Sequence, residues 1–394
     1  MADTPLLKLG ILAGEASGDN LGAGLMAEMS ALHPNVEFVG VGGPRMIEQG
    51  LRALYPMDRL SVNGFVDPIL RLPELLRMLL GLRDQLLEEQ VSAFVGVDFN
   101  VFNLLLERRL KKRGIATAHY VSPSVYAWRR GRAKRISRSA DLLLALYPFE
   151  AGFYKGMNVD VAYVGHPLAH ALGDDASSVA ARDAARASLG LHAETVIAVL
   201  PGSRNSEVAL MGPVFFEAAR IIAQGRDVQF VVPCLRPEIA ERVEDLSAGL
   251  GNVVIHHGNA RLPLTACDVG LVKSGTSTLE AMCLVRPFVV SYKLGTVTYQ
   301  IARHMVRTPF VALPNILAGE ALVPELLQDK ATPDALAESV LAVLDRTRAD
   351  DGYLNRFRSL RDQLRVGPRA SSEAARVVLE LALRQTSSQF EQGE

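Results

Sequence analysis

Asp98 leaves the apolar run Ala93–Val97 and opens the stretch Asp98-Phe99-Asn100-Val101-Phe102-Asn103. A lone carboxylate at the end of such a run suits a general base that takes one proton from an attacking hydroxyl. Asn100 and Asn103 are spaced to orient it or to bind hydroxyls. Capping of the next helix by Asp98 accounts for the residue equally well. Two further stretches suit phosphate. Leu200-Pro201-Gly202-Ser203-Arg204 follows the run Val196–Leu200, and Arg204 can neutralise a diphosphate leaving group. Lys273-Ser274-Gly275-Thr276-Ser277-Thr278-Leu279-Glu280 follows Val269–Val272, and its small residues open a helix whose N–H groups can cradle phosphate. Glu280, about one turn in, can accept ribose hydroxyls. No Asp-x-Asp pair occurs, so helix N-termini and Arg204, rather than a metal, are expected to stabilise a leaving phosphate. No cofactor is expected.

Other motifs carry weaker chemistry. Gly14-Glu15-Ala16-Ser17-Gly18-Asp19 follows the first apolar run and offers close backbone approach to a ligand, with Ser17 a candidate contact. A tight turn with Ser17 or Asp19 as helix cap reads as well. His119-Tyr120-Val121-Ser122-Pro123-Ser124-Val125-Tyr126-Ala127-Trp128 ends in the only Trp, beside Arg129, Arg130, Arg132, Lys134, Arg135 and Arg138. Indole and guanidinium together suit an anionic, lipid-like ligand, although charge runs are usually solvated helices. His119 by itself reads as a packed strand-end residue. Pro68–Arg83 is crowded with leucines, Leu72 and Leu76 among them, and carries Arg71, Arg77 and Arg83. Such a segment lies in a membrane interface, lines an acyl pocket or, more commonly, is a buried helix.

The elements that must position these residues are short apolar runs alternating with helix-length patterns. Strands are expected at Lys8–Ala13, Val36–Val41, Ala93–Val97, Thr117–Val121, Leu142–Leu146 and Val161–Val164, then Val196–Leu200, Val228–Val232, Val253–His256, Val269–Val272 and Phe288–Ser291. Repeated β-α units imply doubly wound parallel sheets in an α/β fold. Residues 173–194 read as a linker, giving domains at 1–172 and 195–394, the latter with a helical tail. Ligands of such sheets bind at the strand carboxyl ends, so a cleft between the two sheets is expected to hold the motifs.

Composition narrows the class. The 394 residues are 49% hydrophobic and 22% charged, enough for two cores. A net charge of −1, from 42 basic and 43 acidic residues, argues against a nucleic-acid binder. Three scattered cysteines and no CxxC fit a reducing compartment. No signal peptide and no transmembrane-length run is seen, so a cytoplasmic protein, or one bound to a membrane from that side, is expected.

Taken together the motifs resemble the lipid-A-disaccharide synthase family, inverting GT-B glycosyltransferases. GEASGDNLGAG at 14–24, GVGGPRM at 40–46, HYVSPSVYAWR at 119–129, YPFEAGFY at 147–154, VGHPL at 164–168, LPGSRNSEV at 200–208, SGTSTLEAM at 274–282 and LPNILAG at 313–319 carry the resemblance across nearly the whole chain. It implies two Rossmann-like domains facing a cleft, UDP-2,3-diacylglucosamine as donor, 2,3-diacylglucosamine 1-phosphate as acceptor and a β-1,6-linked disaccharide as product. It implies Asp98 as general base. Arg204, Ser274, Gly275, Thr276, Glu280 and Asn315 would hold the donor. Ser17, Leu72, Leu76, Asn103, Ser122, Trp128, Arg129 and Arg130 would meet acceptor or lipid at the cytoplasmic face of the inner membrane. A homodimer is left open. The chain departs from the family pattern in lacking a second acid shortly after Asp98 and in having Asp67 where Glu is expected. A UDP-sugar 2-epimerase of the same fold, or an inactive paralogue binding lipid or UDP, are the competing readings.

Overall fold

The computed structural model describes residues 6–60, 71–123, 130–295 and 309–391. They form two compact units, residues 1–167 with 364–394 and residues 168–363. In the first, β1 (Leu7–Ala13), β2 (Val36–Val41), β3 (Leu51–Ala53), β4 (Ala93–Val97), β5 (Ala116–Tyr120), β6 (Leu142–Ala145) and β7 (Asp160–Tyr163) make a seven-stranded sheet. Its order is β3-β2-β1-β4-β5-β6-β7, with every pairing parallel. The order reverses between β1 and β4, the topological switch point where such sheets bind ligands.

The central strands β1, β4 and β6 are largely apolar because helices cover both faces. On one face Leu7, Leu9, Ile11, Ala93, Val95 and Val97 pack against Leu25, Met26 and Met29 of the helix Ala16–Leu32. On the other, Leu12, Val39, Val41 and Phe94 meet Met78, Leu79, Leu82 and Leu86 of the helix Leu72–Glu88, with Phe102, Leu106 and Leu110 of the helix Asn100–Lys111.

The second unit repeats the plan. β8 (Thr195–Leu200), β9 (Val228–Pro233), β10 (Val253–His256), β11 (Val269–Lys273), β12 (Phe288–Tyr292) and β13 (Glu325–Leu327) pair in parallel in the order β10-β9-β8-β11-β12-β13. Its switch point lies between β8 and β11.

The structure corrects the expected domain limits in two places. The last helix, Ser372–Glu391, does not stay with residues 195–363. Its stripe Ala374, Ala375, Val378, Leu379 and Ala382 joins the core of the first sheet. Arg369 reaches Glu28 at 3.4 Å, and Gln385 donates to the Gly114 carbonyl at 2.6 Å. The supposed linker 173–194 is folded into the second unit. It holds the helices Asp174–Ser177 and Val179–Leu189, and Arg186 of the latter binds Asp268 at 2.5 Å. Arg361, fully buried, pairs with Asp174.

Candidate functional site

Asp98 follows β4 at the first switch point. It and Phe99 both have left-handed backbones, φ +48° and +46°. Two consecutive non-glycine residues there are costly and persist only where the surroundings hold them. The Asp98 N–H donates to the Tyr120 carbonyl at 2.8 Å, and Asn103 Nδ2 donates to the Asp98 carbonyl at 2.8 Å. The Phe99 ring lies on Gly14, where an added Cβ would stand 2.5 Å from it. The glycine after β1 thus makes room for the turn after β4.

This backbone removes one of the two readings of Asp98, the helix cap. The helix Asn100–Lys111 has Phe99 as its N-cap and no side-chain cap hydrogen bond. The Asp98 carboxylate is half-buried and takes a hydrogen bond from Asn100 Nδ2 at 2.9 Å. It is not a helix cap. Behind it, His119 Nε2 lies 3.2 Å from Asn100 Oδ1, and His119 Nδ1 lies 2.7 Å from Glu107 Oε1. Both His119 and Glu107 are fully buried. Burial pushes the Glu107 carboxyl up, and the neighbouring imidazole opposes that.

Of the residues expected near an acceptor, Ser17 is exposed in the first turn of its helix after β1. Asp19, the alternative cap in that turn, caps elsewhere, accepting N–H bonds from Gly43, Arg45 and Met46 at 2.8–3.1 Å. Asn103 is corrected. It is fully buried, and its Nδ2 is directed at the carbonyls of Leu12, Val97 and Asp98. Its amide ties β1 to β4 and leaves no donor for a ligand. Ser122 is buried with its hydroxyl 2.8 Å from the Tyr154 hydroxyl, beside Glu150. It too is placed for support rather than for ligand contact. Leu72, Leu76 and Leu80 are 52%, 41% and 40% exposed, one turn apart on a helix whose other face is core. The buried-helix reading holds for one face of that segment, and the opposite face is exposed. Val101 and Leu105, on the helix packed beside it, are also exposed. Trp128, Arg129 and Asp67 lie outside the described residues. Arg130 begins the helix Arg130–Ser137, on which Lys134 and Arg135 are exposed.

At the second switch point, Arg204 precedes the helix Asn205–Ala223 with its side chain 79% exposed. Glu207 reaches back to the Ser203 N–H at 3.0 Å and takes the Lys273 ammonium at 3.0 Å. Gly202, at φ +138°, has no room for a Cβ, which would stand 2.5 Å from that of Glu207. Glu207 therefore ties the loop after β8 to the end of β11, and Arg204 makes only a long, exposed ion pair with it, at 3.8 Å. Lys273 also lies 4.9 Å from the Tyr292 ring centre. Ser274 is half-buried, while Gly275 and Thr276 are exposed at the start of the helix Thr276–Cys283. Glu280 stands 3.5 Å from Arg261, and burial raises its carboxyl while Arg261 opposes the rise.

Asn315 is the second correction. It is fully buried, donates to the Val323 carbonyl and to Glu325, and accepts from the Val323 N–H, at 2.8–2.9 Å. Glu325 in turn holds the N–H groups of Val311 and Ala312. The side chain shapes the loop and has no donor left for a nucleotide.

Comparison with known proteins gives these sites a context. The family model described as lipid-A-disaccharide synthetase matches residues 9–376. The chain is 48% identical to the lipid-A-disaccharide synthase of Azotobacter vinelandii, over 96% of this chain and 99% of that protein. It is 44% identical to that of Pseudomonas aeruginosa strain UCBPP-PA14, over 96% and 99%. The chain belongs to the lipid-A-disaccharide synthetase family.

Solved structures share the architecture at low identity. The UDP-GlcNAc 2-epimerase of Neisseria meningitidis bound to UDP-GlcNAc gives a TM-score of 0.62 at 14% identity, covering 96% of this chain and 100% of that one. MurG of Acinetobacter baumannii gives 0.57 at 13%, covering 95% and 100%. The fold is therefore GT-B, which epimerases and transferases share, and it is family membership that separates the lipid-A-disaccharide synthetase reading from the epimerase one. Sequence reading missed Glu107 and Glu207 as parts of these sites and gave Lys273, at the head of its motif, no role. Asn100, Asn103 and Glu107 recur at i, i+3 and i+7, a polar stripe on a helix face that should be apolar. That stripe was the available signal.

Proposed function

We infer that the chain is an inverting hexosyltransferase that joins UDP-2,3-diacylglucosamine to 2,3-diacylglucosamine 1-phosphate, giving a β-1,6-linked disaccharide 1-phosphate and UDP. The observation that carries this reading is a half-buried carboxylate at the switch point of the first sheet, in a chain matched to the family over residues 9–376. Asp98 takes the proton from the acceptor's 6-hydroxyl as that oxygen attacks the anomeric carbon. One base suffices for a single displacement with inversion; a covalent intermediate would need a second carboxylate as nucleophile.

In the second unit, the exposed Arg204 and the N–H groups opening the helix Thr276–Cys283 hold the departing diphosphate. Glu280 accepts the ribose hydroxyls. Lys273, through Glu207, keeps the two loops together. The exposed leucines at 72, 76 and 80 and the basic helix Arg130–Ser137 meet acyl chains and phosphate headgroups at a membrane surface. No helix among the described residues is long and apolar enough to cross a membrane, which agrees with a peripheral association.

The test is an assay with both diacyl substrates in mixed micelles, with the product linkage read by NMR. The expected result is one disaccharide 1-phosphate per UDP, β-1,6-linked. Conversion of the sugar nucleotide without acceptor would instead mark an epimerase.

A further inference from the structure

Four side chains form an unbroken hydrogen-bonded line behind the acceptor side: Glu107 Oε1 to His119 Nδ1, His119 Nε2 to Asn100 Oδ1, and Asn100 Nδ2 to Asp98 Oδ1, at 2.7, 3.2 and 2.9 Å. The fold makes space for it. In the β4–β5 register His119 lies beside Gly96. A Cβ on Gly96 would stand 2.1 Å from Glu107 Oε1 and 2.9 Å from Asn103 Cβ. Any larger residue in that strand would expel the carboxyl from its place under the imidazole.

The direction of each bond follows from donor and acceptor chemistry. An ionised Asp98 accepts only, so the Asn100 NH2 must face it, and Asn100 Oδ1 must then receive a proton donor from His119 Nε2. The Glu107–His119 pair supplies that donor when Glu107 is the acid: it donates to Nδ1, and the neutral ring carries its proton on Nε2. An ionised Glu107 beside a neutral ring would take the Nδ1–H and leave Nε2 bare. Glu107 Oε2 has no hydrogen-bond partner, and burial pushes this carboxyl up, which favours the neutral arrangement. Without Glu107 the ring is free to take the other tautomer. A bare Nε2 lone pair would then face Asn100 Oδ1, the amide would turn over, and its oxygen would repel the Asp98 carboxylate.

We propose that Glu107 and His119 are positioning residues that lock the Asn100 amide and, through it, aim the Asp98 carboxylate at the acceptor hydroxyl. This rests on the reading of Asp98 as the general base. The pair touches no substrate; its effect passes wholly through Asn100.

The test uses the full chain with both lipid substrates in micelles, measuring kcat, the two KM values and melting temperature for five variants and their combinations. Glu107→Met should lower kcat about 10- to 100-fold, the scale of a small misplacement of a reacting group, with both KM values unchanged. Glu107→Gln can donate its amide N–H to Nδ1, keeps Nε2–H and should restore most of the rate. Asn100→Ala should lose as much as Glu107→Met, and combining the two should lose nothing more. If Glu107→Met does not fold, Glu107→Met with His119→Phe removes both buried partners at once, the milder change for a core. It should match Asn100→Ala in kcat.

Equal damage from Glu107→Gln and Glu107→Met, losses that multiply with Asn100→Ala, or a normal kcat in the double replacement would overturn the proposal. Asp98→Asn, run alongside, separates the two levels. Residual full turnover there removes the base itself, whereas a dead Asp98→Asn with undisturbed Glu107 and His119 variants removes only the positioning role.

Discussion

Asp98 would be an ordinary loop residue but for its backbone. With left-handed conformations at Asp98 and Phe99, the carboxylate meets the Asn100 side chain rather than capping the helix backbone, and the carbonyl bond from Asn103 and the ring contact at Gly14 hold the turn there. Strain of this kind concentrates where a side chain must point in one direction. A second residue-scale consequence concerns Glu150. It is almost fully buried, and burial pushes its carboxyl up to about 7 despite N–H bonds from Tyr147 and Leu146. A carboxyl raised on folding stabilises the fold fully below its unfolded value, and the contribution disappears as pH rises through about 7. Urea unfolding should therefore show stability falling between pH 4.5 and 7 by as much as about 3 kcal/mol, with Glu150→Gln flattening that slope. A slope unchanged by Glu150→Gln would contradict this account of the carboxyl.

The helix Leu72–Glu88 has a buried face and an exposed apolar one, and the proposed lipid contact belongs to the second. Met78, Leu79, Leu82 and Leu86 are buried, while Leu72, Leu76 and Leu80 stand exposed at four-residue intervals. Replacing those three with Gln should cut partition into phospholipid vesicles by about tenfold or more, since each loses apolar area that would enter the interface. Thermal stability should change by no more than about 1 kcal/mol per site, because each side chain is already about half exposed. Sedimentation with vesicles and a melting curve check both. Unaltered vesicle binding would move the lipid contact elsewhere. The central strands of both sheets were legible in the sequence and stand where their apolar runs put them, within a few residues. β3 and β13, three residues each at sheet edges, were not, since three residues carry no period. Asn103 and Asn315 were misjudged for a related reason. A polar residue in a motif gives no sign of whether it faces a ligand or a neighbouring carbonyl.

At the scale of the molecule, pattern revealed two parallel sheets but not which of them the final helix covers. The Ala-rich stripe at 374–382 fits either sheet as a pattern; only packing assigns it to the first. The net charge of −1 leaves surface attraction to local groups such as Lys134 and Arg135. The central claim is a division of labour: the first unit takes the proton and the second holds the nucleotide. The measurement that tests it most directly is turnover of Asp98→Asn together with its affinity for UDP by calorimetry. Loss of a base acting only in the transition state should lower kcat by about 10²- to 10⁴-fold and leave UDP binding within about twofold of the parent. Full turnover in Asp98→Asn, or UDP affinity lost along with turnover, would contradict the account.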